Sequence, residues 1–455
     1  MKKIISAILI IALCLSLSSC QTILELTKDT PIGQLISSID NNNDYKKNIV
    51  KPAADKITVG YTEHRQPDFL SFVDKLDRFA AELTYELYSD AEGCENLVIS
   101  PVSVYMALAL AVECSNGETR DEILNAVGVS YDEVANFTKY IYAYTNKEYY
   151  SNGENKQLSA MVQLANSIWV DDDVQLKNAG VSNLATNYNC DMYTVDFGSR
   201  EASQSINAYI KDMTHGLIDA KVNLPPSTII TIINTFYLKD IWNEYGKDLT
   251  FTSDPYSFNN ADGSTTDIKL LRGYYNAGRV YEGDGYTSFY TTTEHNYKIN
   301  FILPDEGYTI ADVLTAENLY TINNITDYGY IDDENRLIHY TRVLFPEFKA
   351  SFDDDIADTL KSEFNINRLF DYEDCDFSNI VDDPAFCDSV IHQCCLEVNK
   401  TGIEGAAVTY IVVDGSAEPP AYEKVYHDMV IDRAFGFVIT DFYGNVVFSG
   451  VINVV

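Results

Sequence analysis

The sequence predicts an α+β domain in which helices come early in the chain and later strands fill a large mixed sheet. Apolar residues recur at helical spacing in the first part of the domain, whereas later segments are rich in β-branched and aromatic residues. No repeat of fixed period and no Pro/Gly/Ser-rich linker divides the 455-residue chain after residue 70. One large domain of packed helices and sheet is therefore expected.

The helical segments follow from the spacing of apolar residues. Residues 69–87 carry them at intervals of three and four, which predicts an amphipathic helix. Residues 102–113 are apolar nearly all round and predict a deeply buried helix. A third helix is predicted to open with a capping box, Thr119–Glu122, and to end at Gly128. Residues 354–364 form one later helical segment.

The predicted strands share a high content of β-branched and aromatic residues, and they lie at 162–170, 228–238, 298–303, 342–345 and 446–455. Asp262-Gly263-Ser264 has the composition of a hairpin tip. It lacks the downstream ligands of a calcium loop, so a calcium site is not predicted there.

The N-terminus has the pattern of an export signal. Lys2 and Lys3 precede an apolar run over 4–17, which is shorter than the roughly 20 residues of a membrane span. Its Leu-Ser-Ser-Cys ending resembles the bacterial lipobox, which implies cleavage before Cys20 and lipidation of its sulfur. An ordinary secretory signal is the alternative. We therefore expect a signal peptide at 1–19, a lipidated tether at 20–66 and the domain at 67–455, exported to the cell envelope or outside the cell.

Charge and cysteine content narrow the function classes. With 32 Lys+Arg against 68 Asp+Glu, the net charge of −36 disfavours nucleic-acid binding. Nine cysteines, less Cys14 in the signal and Cys20, leave seven, an odd number without the spacing of a disulfide framework. Adjacent Cys394 and Cys395 cannot face the same side of a strand, which disfavours a paired metal site. Buried thiols are expected for most of them.

Motifs of catalysis are missing from the sequence. It has no Gly-x-Ser-x-Gly elbow, no His-Glu-x-x-His, no phosphate loop and no Cys-x-x-Cys pair. The six histidines are scattered, and spacing alone does not exclude a Ser/His/Asp triad assembled in space. A secreted hydrolase therefore stays open as an alternative, but no catalytic residue, cofactor or metal ligand is predicted.

Six groups of segments, in order along about 390 residues, resemble the serpin family of protease inhibitors: 96–103 with 107–108 and 116–123, 165–169, 206–218, 234–242, 345–349 with 376–380, and 390–409. The resemblance implies the serpin fold, a large mixed sheet with packed helices and an exposed reactive-centre loop. It implies an inhibitor and not an enzyme. The partner would be a serine protease held in a covalent complex, with a cysteine protease as a second candidate. The active state would be monomeric, and the membrane would be contacted only through the lipid. A non-inhibitory binding protein of the same fold is the alternative.

The resemblance also implies which residues govern the opening of the sheet. A buried polar cluster called the shutter would consist of Ser100, Ser103, Asn234 and His392. A region called the breach, where insertion begins, would contain Trp242 and Lys400. Lys400 stands where the family usually has Glu, and Tyr209 where it usually has Trp.

An inserting hinge must meet physical conditions that the sequence satisfies. No proline occurs from Gly402 to Glu418, as a central strand requires, and Pro419-Pro420 then ends the run. In an extended strand, successive side chains point to opposite faces, so both charged residues of 402–414, Glu404 and Asp414, fall on one face. The other face is uncharged and can be buried completely. Fifteen residues span about 50 Å, enough to cross a large sheet. A constitutive strand over 402–413 is the alternative. The hinge is predicted to comprise Gly402, Ile403, Glu404, Gly405, Ala406, Ala407, Val408 and Thr409.

The reactive bond is predicted at Ser416-Ala417. The family's usual spacing from Gly402 gives this bond, and the inserted strand must also end before Pro419. Small residues on both sides suit proteases with a shallow specificity pocket, of elastase or subtilisin type. The stretch from Gly402 to Asp432 is about seven residues longer than is typical of the family.

Overall fold

The computed structural model describes residues 45–53, 67–90, 95–150, 158–243, 249–276, 279–324, 331–332, 337–382, 384–387, 389–403 and 423–455. Its helices, in chain order, are α1 Pro67–Asp90, α2 Pro101–Cys114, α3 Gly117–Ala126, α4 Tyr131–Thr145, α5 Asn178–Asn187, α6 Arg200–Met213, α7 Ile310–Val313, α8 Ala316–Asn323 and α9 Ala357–Ser362. Short 3-10 helices are formed by Tyr45–Asn48 and Arg368–Phe370.

The strands are β1 Ile49–Lys51, β2 Leu97–Ile99, β3 Lys147–Tyr150, β4 Leu158–Asp171, β5 Cys190–Val195, β6 Ile230–Ile241, β7 Thr250–Phe251, β8 Tyr256–Asn259, β9 Thr265–Ile268, β10 Leu271–Asn276, β11 Val280–Glu282, β12 Tyr286–Thr292, β13 Lys298–Pro304, β14 Ile331–Asp332, β15 Leu337–Phe345, β16 Phe348–Asp355, β17 Ile391–Asn399, β18 Gly402–Ile403, β19 Glu423–Val430, β20 Phe435–Thr440 and β21 Val446–Ile452.

The main sheet is mixed, with the strand order β1-β5-β4-β6-β18-β17-β16 and with β3 paired to β4. β4 runs parallel to β5 and antiparallel to β6, and its ladder with β6 extends from Met161↔Lys239 to Val170↔Ile230. A second sheet has the order β11-β12-β13-β20-β21-β2. A third has the order β14-β15-β10-β7, and β19 joins it parallel to β15. The predicted α+β class with a large mixed sheet is confirmed.

The core contains α2, which packs between β6 of the main sheet and β21 of the second sheet. Thirteen of its 14 residues are buried, as expected of a helix that is apolar on all sides. The N-terminal end of α2 lies under the main sheet and supplies polar groups to it. Predicted helices at 69–87 and 102–113 correspond to α1 and α2, and the predicted tip at Asp262-Gly263-Ser264 joins β8 to β9.

The predicted capping box at Thr119 is wrong, because the N-cap of α3 is Asn116, three residues earlier. Thr119 instead bonds the backbone at Asp374 and Asp376. A capping box does occur at the start of α4, where Ser130 and Glu133 bond each other's backbone N–H. Predicted helix 354–364 is shorter than expected, since its first residues belong to β16.

The segment 45–53 differs from the predicted tether, because it is part of the folded domain. β1 adds to the edge of the main sheet beside β5, and Tyr45 is 5% exposed. The Tyr45 hydroxyl donates to Asp212 of α6 at 2.5 Å, and its ring meets the Tyr209 ring edge-on with centroids 5.4 Å apart. Burial of an aromatic ring with a satisfied hydroxyl holds this segment in place. None of the described helices is both long and apolar enough to cross a membrane.

Candidate functional site

The main sheet contains a junction, defined here as β6, β17 and the short β18 between them. Gly402 and Ile403 of β18 pair with Ile241 and Asp240 of β6 on one side. On the other side they pair with Asn399 and Val398 of β17. Both pairings are antiparallel, so β6 and β17 run in the same direction. Beyond these two residues, no ladder joins β6 to β17 in the described part of the chain.

We call the end of the junction that contains β18 its upper end, and the end that contains Asn234 and His392 its lower end. Gly402 and Ile403 are held tightly at the upper end. A Cβ on Gly402 would lie 2.0 Å from the carbonyl oxygen of Asp240, so only glycine fits this close approach. Ile403 is fully buried, on the face predicted to be able to enter the core. The other predicted hinge and reactive-bond residues lie outside the described residues, as does the lipidation site: Glu404, Gly405, Ala406, Ala407, Val408, Thr409, Ser416, Ala417 and Cys20.

Both predicted breach residues lie at this upper end. Trp242 is 1% exposed, and its indole N–H donates to the carbonyl of Asn399 at 2.9 Å. Its backbone N–H donates to the carbonyl of Thr401 at 3.1 Å. Lys400 is exposed, its backbone N–H donates to Glu347 at 2.7 Å, and its ammonium lies 5.9 Å from the Phe251 ring. Trp242 therefore closes the turn between β17 and β18.

Asp240 of β6, which pairs with Ile403 of β18, is a buried carboxylate that the sequence did not predict as a site residue. The Asp240 side chain is fully buried, and it accepts hydrogen bonds from Nδ1 of His295 at 2.8 Å and from the His295 backbone at 3.1 Å. The ring of Tyr149 stacks on His295 at 3.5 Å between centroids. Asp240 and His295 are far apart in sequence and match no motif, so only the fold reveals the pair.

The four predicted shutter residues come together lower in the junction. On the β6 side, the hydroxyl of Ser103 donates to Oδ1 of Asn234. On the β17 side, the backbone N–H of Ser100 donates to Nε2 of His392 at 3.0 Å. No hydrogen bond joins Asn234 directly to His392 in the described residues. The N-terminal turn of α2 therefore links the two strands from beneath, and each strand holds it through a separate bond.

Asn166 is a further member of the shutter. The amide of Asn234 donates to Oδ1 of Asn166 at 2.5 Å, and the amide of Asn166 donates to the Tyr188 carbonyl at 2.7 Å. Asn166 lies in the predicted strand 162–170 and was not predicted to belong to the shutter. The sequence did contain one indication of this role. Asn166 is a polar residue in a strand predicted to be buried, and a buried amide requires hydrogen-bond partners.

His392 is neutral at physiological pH. Burial lowers the pKa of His392 to about 4, because the cation would lose its hydration. The hydrogen bond from Ser100 agrees, since Nε2 can accept only when it carries no proton. The hydroxyl of Ser100 is buried without a hydrogen-bond partner among the described residues.

A narrow cavity lies in the junction below β18. It is lined by Thr231 and Asn234 of β6, by Ile391 and Gln393 of β17, and by Ile210 of α6. The helix α6 crosses over β4 and β6, and its buried Tyr209 packs on Trp169 of β4. The lower junction is thus bounded by α6 on one face and by α2 on the other.

Comparisons with known proteins agree with this geometry. A family model described as Serpin (serine protease inhibitor) matches residues 74–454. The putative serpin-Z5 of Oryza sativa subsp. japonica is 28% identical over 386 residues, which cover 78% of this chain and 84% of that protein. Iripin-1 of Ixodes ricinus is 26% identical over 405 residues, which cover 85% of this chain and 95% of that protein.

Solved structures share the fold. The thermophilic serpin tengpin in its native state superposes with a TM-score of 0.67 at 22% identity, covering 91% of this chain and 99% of that one. A serpin of the insect Tenebrio molitor gives a TM-score of 0.67 at 18% identity, covering 87% of this chain and 100% of that one.

Proposed function

Because the chain belongs to the serpin family, whose model is described as serine protease inhibitor, we propose that it is not an enzyme and that it traps serine proteases in a single-use reaction. The protease serine bonds to the carbonyl carbon of Ser416, and the peptide bond to Ala417 breaks as its amine takes up a proton. The residues after Gly402 then insert into the main sheet with the acyl-enzyme attached. The inhibitor provides the cleavable loop and the free energy released on insertion, and the protease provides the catalytic groups.

The observation that carries this proposal is the direction and register of β18. It already runs antiparallel to both neighbours, so its continuation can form two ladders at once. Continuing the two registers without a bulge places Thr409 opposite Asn234 on one side and opposite His392 on the other. An inserted strand would therefore reach the shutter at Thr409, where β6 and β17 have no ladder between them in the described residues.

The faces of the inserted strand support the same reaction. Ile403 is buried, so alternation would direct Gly405, Ala407 and Thr409 to the same inner face. The charge of Glu404 would point away from the core. Insertion would newly bury the side chains of Ala407, Thr409, Ile411 and Val413. Burial of Ile411 and Val413 alone offers roughly 3–6 kcal/mol, at about 1.5–3 kcal/mol each, before entropy is subtracted.

The target we propose is an elastase-like or subtilisin-like protease that cuts at Ser416-Ala417. A trypsin-like protease would need Lys or Arg, and the nearest basic residue is Lys424. Lys424 lies within β19, where the ladder pairs it with Ile338 of β15. A bond inside a paired strand resists proteolysis, because the protease must first pull the strand out. Trypsin should therefore be resisted or should cut without being trapped.

Attachment to a membrane through Cys20 is the second part of the proposal, supported by the N-terminal sequence pattern alone. Replacing Cys20→Ala should release the protein into the soluble fraction of cells that process lipoproteins. A Cys14→Ala variant is the matched control and should stay membrane-bound. Equal membrane association of the two variants would refute lipidation at Cys20.

The inhibitory part is tested by mixing the protein with elastase, subtilisin or trypsin and separating the products on a denaturing gel. We expect a covalent complex with elastase or subtilisin, and mass spectrometry should locate the cut after Ser416. Fragments without any complex would indicate the non-inhibitory alternative. Turnover of small esters by the protein alone would indicate a hydrolase. A complex with trypsin alone, cut after Lys424, would refute the assigned bond.

A further inference from the structure

Two histidines far apart in sequence meet on the third sheet. The parallel ladder of β15 and β19 pairs His339 with Val425 and Thr341 with His427. His339 and His427 therefore lie on the same face of the sheet, one diagonal step apart. The ladder continues for eight residue pairs, from Leu337↔Glu423 to Leu344↔Val430, so their backbone positions are well fixed.

The ring nitrogens of the two histidines point at each other. Nδ1 of His339 and Nε2 of His427 are 3.0 Å apart, and the rings are nearly parallel, with an angle of 20° and centroids 5.3 Å apart. Two nitrogens bound to one tetrahedral Zn²⁺ at about 2.0–2.1 Å are about 3.3 Å from each other. The separation is thus within a few tenths of an ångström of that in a chelating pair. To bind one ion, both rings must also turn their lone pairs toward it, and the proton that lies between the two nitrogens must move to the other nitrogen of its ring.

The charges around the pair are compatible with a bound cation. Glu282 and Asp305 line the cavity beside His427. Arg433 lines the same cavity, and its guanidinium bonds Asp432 and the Pro304 carbonyl. Arg342, on the opposite face of β15, pairs with Asp428 at 2.5 Å. The nearby guanidinium groups are thus already engaged with acceptors.

We propose that His339 and His427 form a binding site for a divalent transition-metal ion, with Zn²⁺ as the ion to test. Imidazole nitrogens suit Zn²⁺, Ni²⁺ and Cu²⁺. In the described residues, the only compact group of three candidate ligands is Asp171-Asp172-Asp173, so the ion at the histidine pair takes its other ligands from water.

A bound ion would tie β19 to β15 by side-chain coordination in addition to the backbone ladder. β19 begins at Glu423, immediately after the segment 404–422 that contains the proposed reactive bond. The ion therefore strengthens the C-terminal attachment of that segment. This consequence rests on the proposed inhibitory function, whereas the binding of the ion itself does not.

The test titrates ZnCl₂ into the tag-free protein in a non-chelating buffer, by calorimetry and by thermal melting, with no protease present. We expect one ion per chain at this site and a melting temperature that rises with Zn²⁺ and returns to its original value with EDTA. His339→Gln and His427→Gln should each weaken binding by at least about tenfold. Removing a group that only orients a metal ligand already lowers the metal affinity by about 10–100-fold, and these variants remove a ligand itself.

The matched control is His215→Asn. His215 follows the C-terminal end of α6, far from the pair in the chain, and its ring is hydrogen-bonded to Gln163 of β4. Asparagine tolerates the positive φ of 52° at this position. Retained binding in this variant together with loss in the other two supports the site. Unchanged Zn²⁺ affinity in both His339→Gln and His427→Gln would overturn it, as would the absence of any heat or melting shift at millimolar Zn²⁺. Neither outcome depends on whether the protein inhibits a protease.

Discussion

The upper and lower ends of the junction are held by different kinds of bonds. At the upper end, β18 pairs with both neighbours through backbone hydrogen bonds, and Trp242 bonds the turn at Asn399 and Thr401. At the lower end, β6 and β17 are connected in the described residues through side chains that reach the start of α2. The upper end is thus built like the interior of a sheet, and the lower end like a latch of a few polar groups.

This difference indicates where a new strand can enter. Adding a strand below β18 removes no backbone ladder, because none joins β6 to β17 there in the described residues. It must displace or accommodate the bonds of Asn234 and His392, each worth about 1 kcal/mol net. If the chain inserts as proposed, the free energy of insertion therefore has to exceed only the few kcal/mol that these polar bonds contribute.

The largest expected effect comes from a charge on the inner face of the segment that we propose to insert. In Ala407→Glu or Gly405→Arg, insertion must desolvate the new charge, at a cost of several kcal/mol, while the acylation step is unchanged. Both variants should be cleaved without forming the covalent complex.

The matched control for that experiment is Ala406→Glu, which places the same charge on the outer face. It should still form the complex on a denaturing gel. If Ala407→Glu and Ala406→Glu behave alike, the register extrapolated from β18 is wrong.

The next largest effect is a loss of folding stability at acidic pH. The pKa of His392 is about 4 in the folded protein and about 6.5 in an unfolded chain, so between these values only the unfolded chain takes up the proton. His392 therefore makes the stability fall as the pH drops from about 6.5 toward 4, by up to about 3 kcal/mol. The measurement is urea unfolding at pH 7.5, 5.5 and 4.5 for the wild type and His392→Asn. A wild-type loss no larger than that of the variant would contradict a neutral buried His392.

A smaller loss is expected when one partner of the latch is removed at neutral pH. His392→Ala leaves the Ser100 N–H buried without an acceptor, which should lower the free energy of unfolding by about 1–3 kcal/mol and promote polymerisation. Gln393→Ala, the next residue of β17, is the control, because its bond to Asp353 is exposed. Melting curves and size-exclusion profiles that do not distinguish the two variants would count against the latch.

The smallest effect is expected at the upper end. Trp242→Phe removes the N–H bond to Asn399 but leaves the ladders of β18 intact. The free energy of unfolding should fall by about 1 kcal/mol, and the covalent complex should still form. Abolished complex formation in this variant would show that the two ends of the junction do not differ as described.

The fold was largely predictable because its long elements have strong patterns. The continuous apolar pattern of α2 and the β-branched content of β4 and β6 each indicated one structure. The four shutter residues were identified by resemblance, and the structure brings them together around the start of α2.

Features that depend on contacts between distant residues were not predictable. Asp240 and His295 become partners only when β6 lies beside the turn that follows β12. The pattern from Thr119 to Glu122 matches a capping box, but α3 begins earlier and uses both side chains to bind the segment 367–376. The polar segment at 45–53 looked like a tether because its one anchoring ring, Tyr45, needs the pocket formed by α6 and β5.

The docking of 45–53 changes how far the protein could act from a surface. A fully extended chain covers at most about 3.5 Å per residue, so a leash from a lipid at Cys20 to residue 67 would reach about 165 Å. A leash that ends at Tyr45 reaches at most about 90 Å. It is attached at the β1 edge of the main sheet, beside α6. If Cys20 carries a lipid, the greatest distance from the membrane at which the domain could reach a protease is therefore about half of what the sequence suggested.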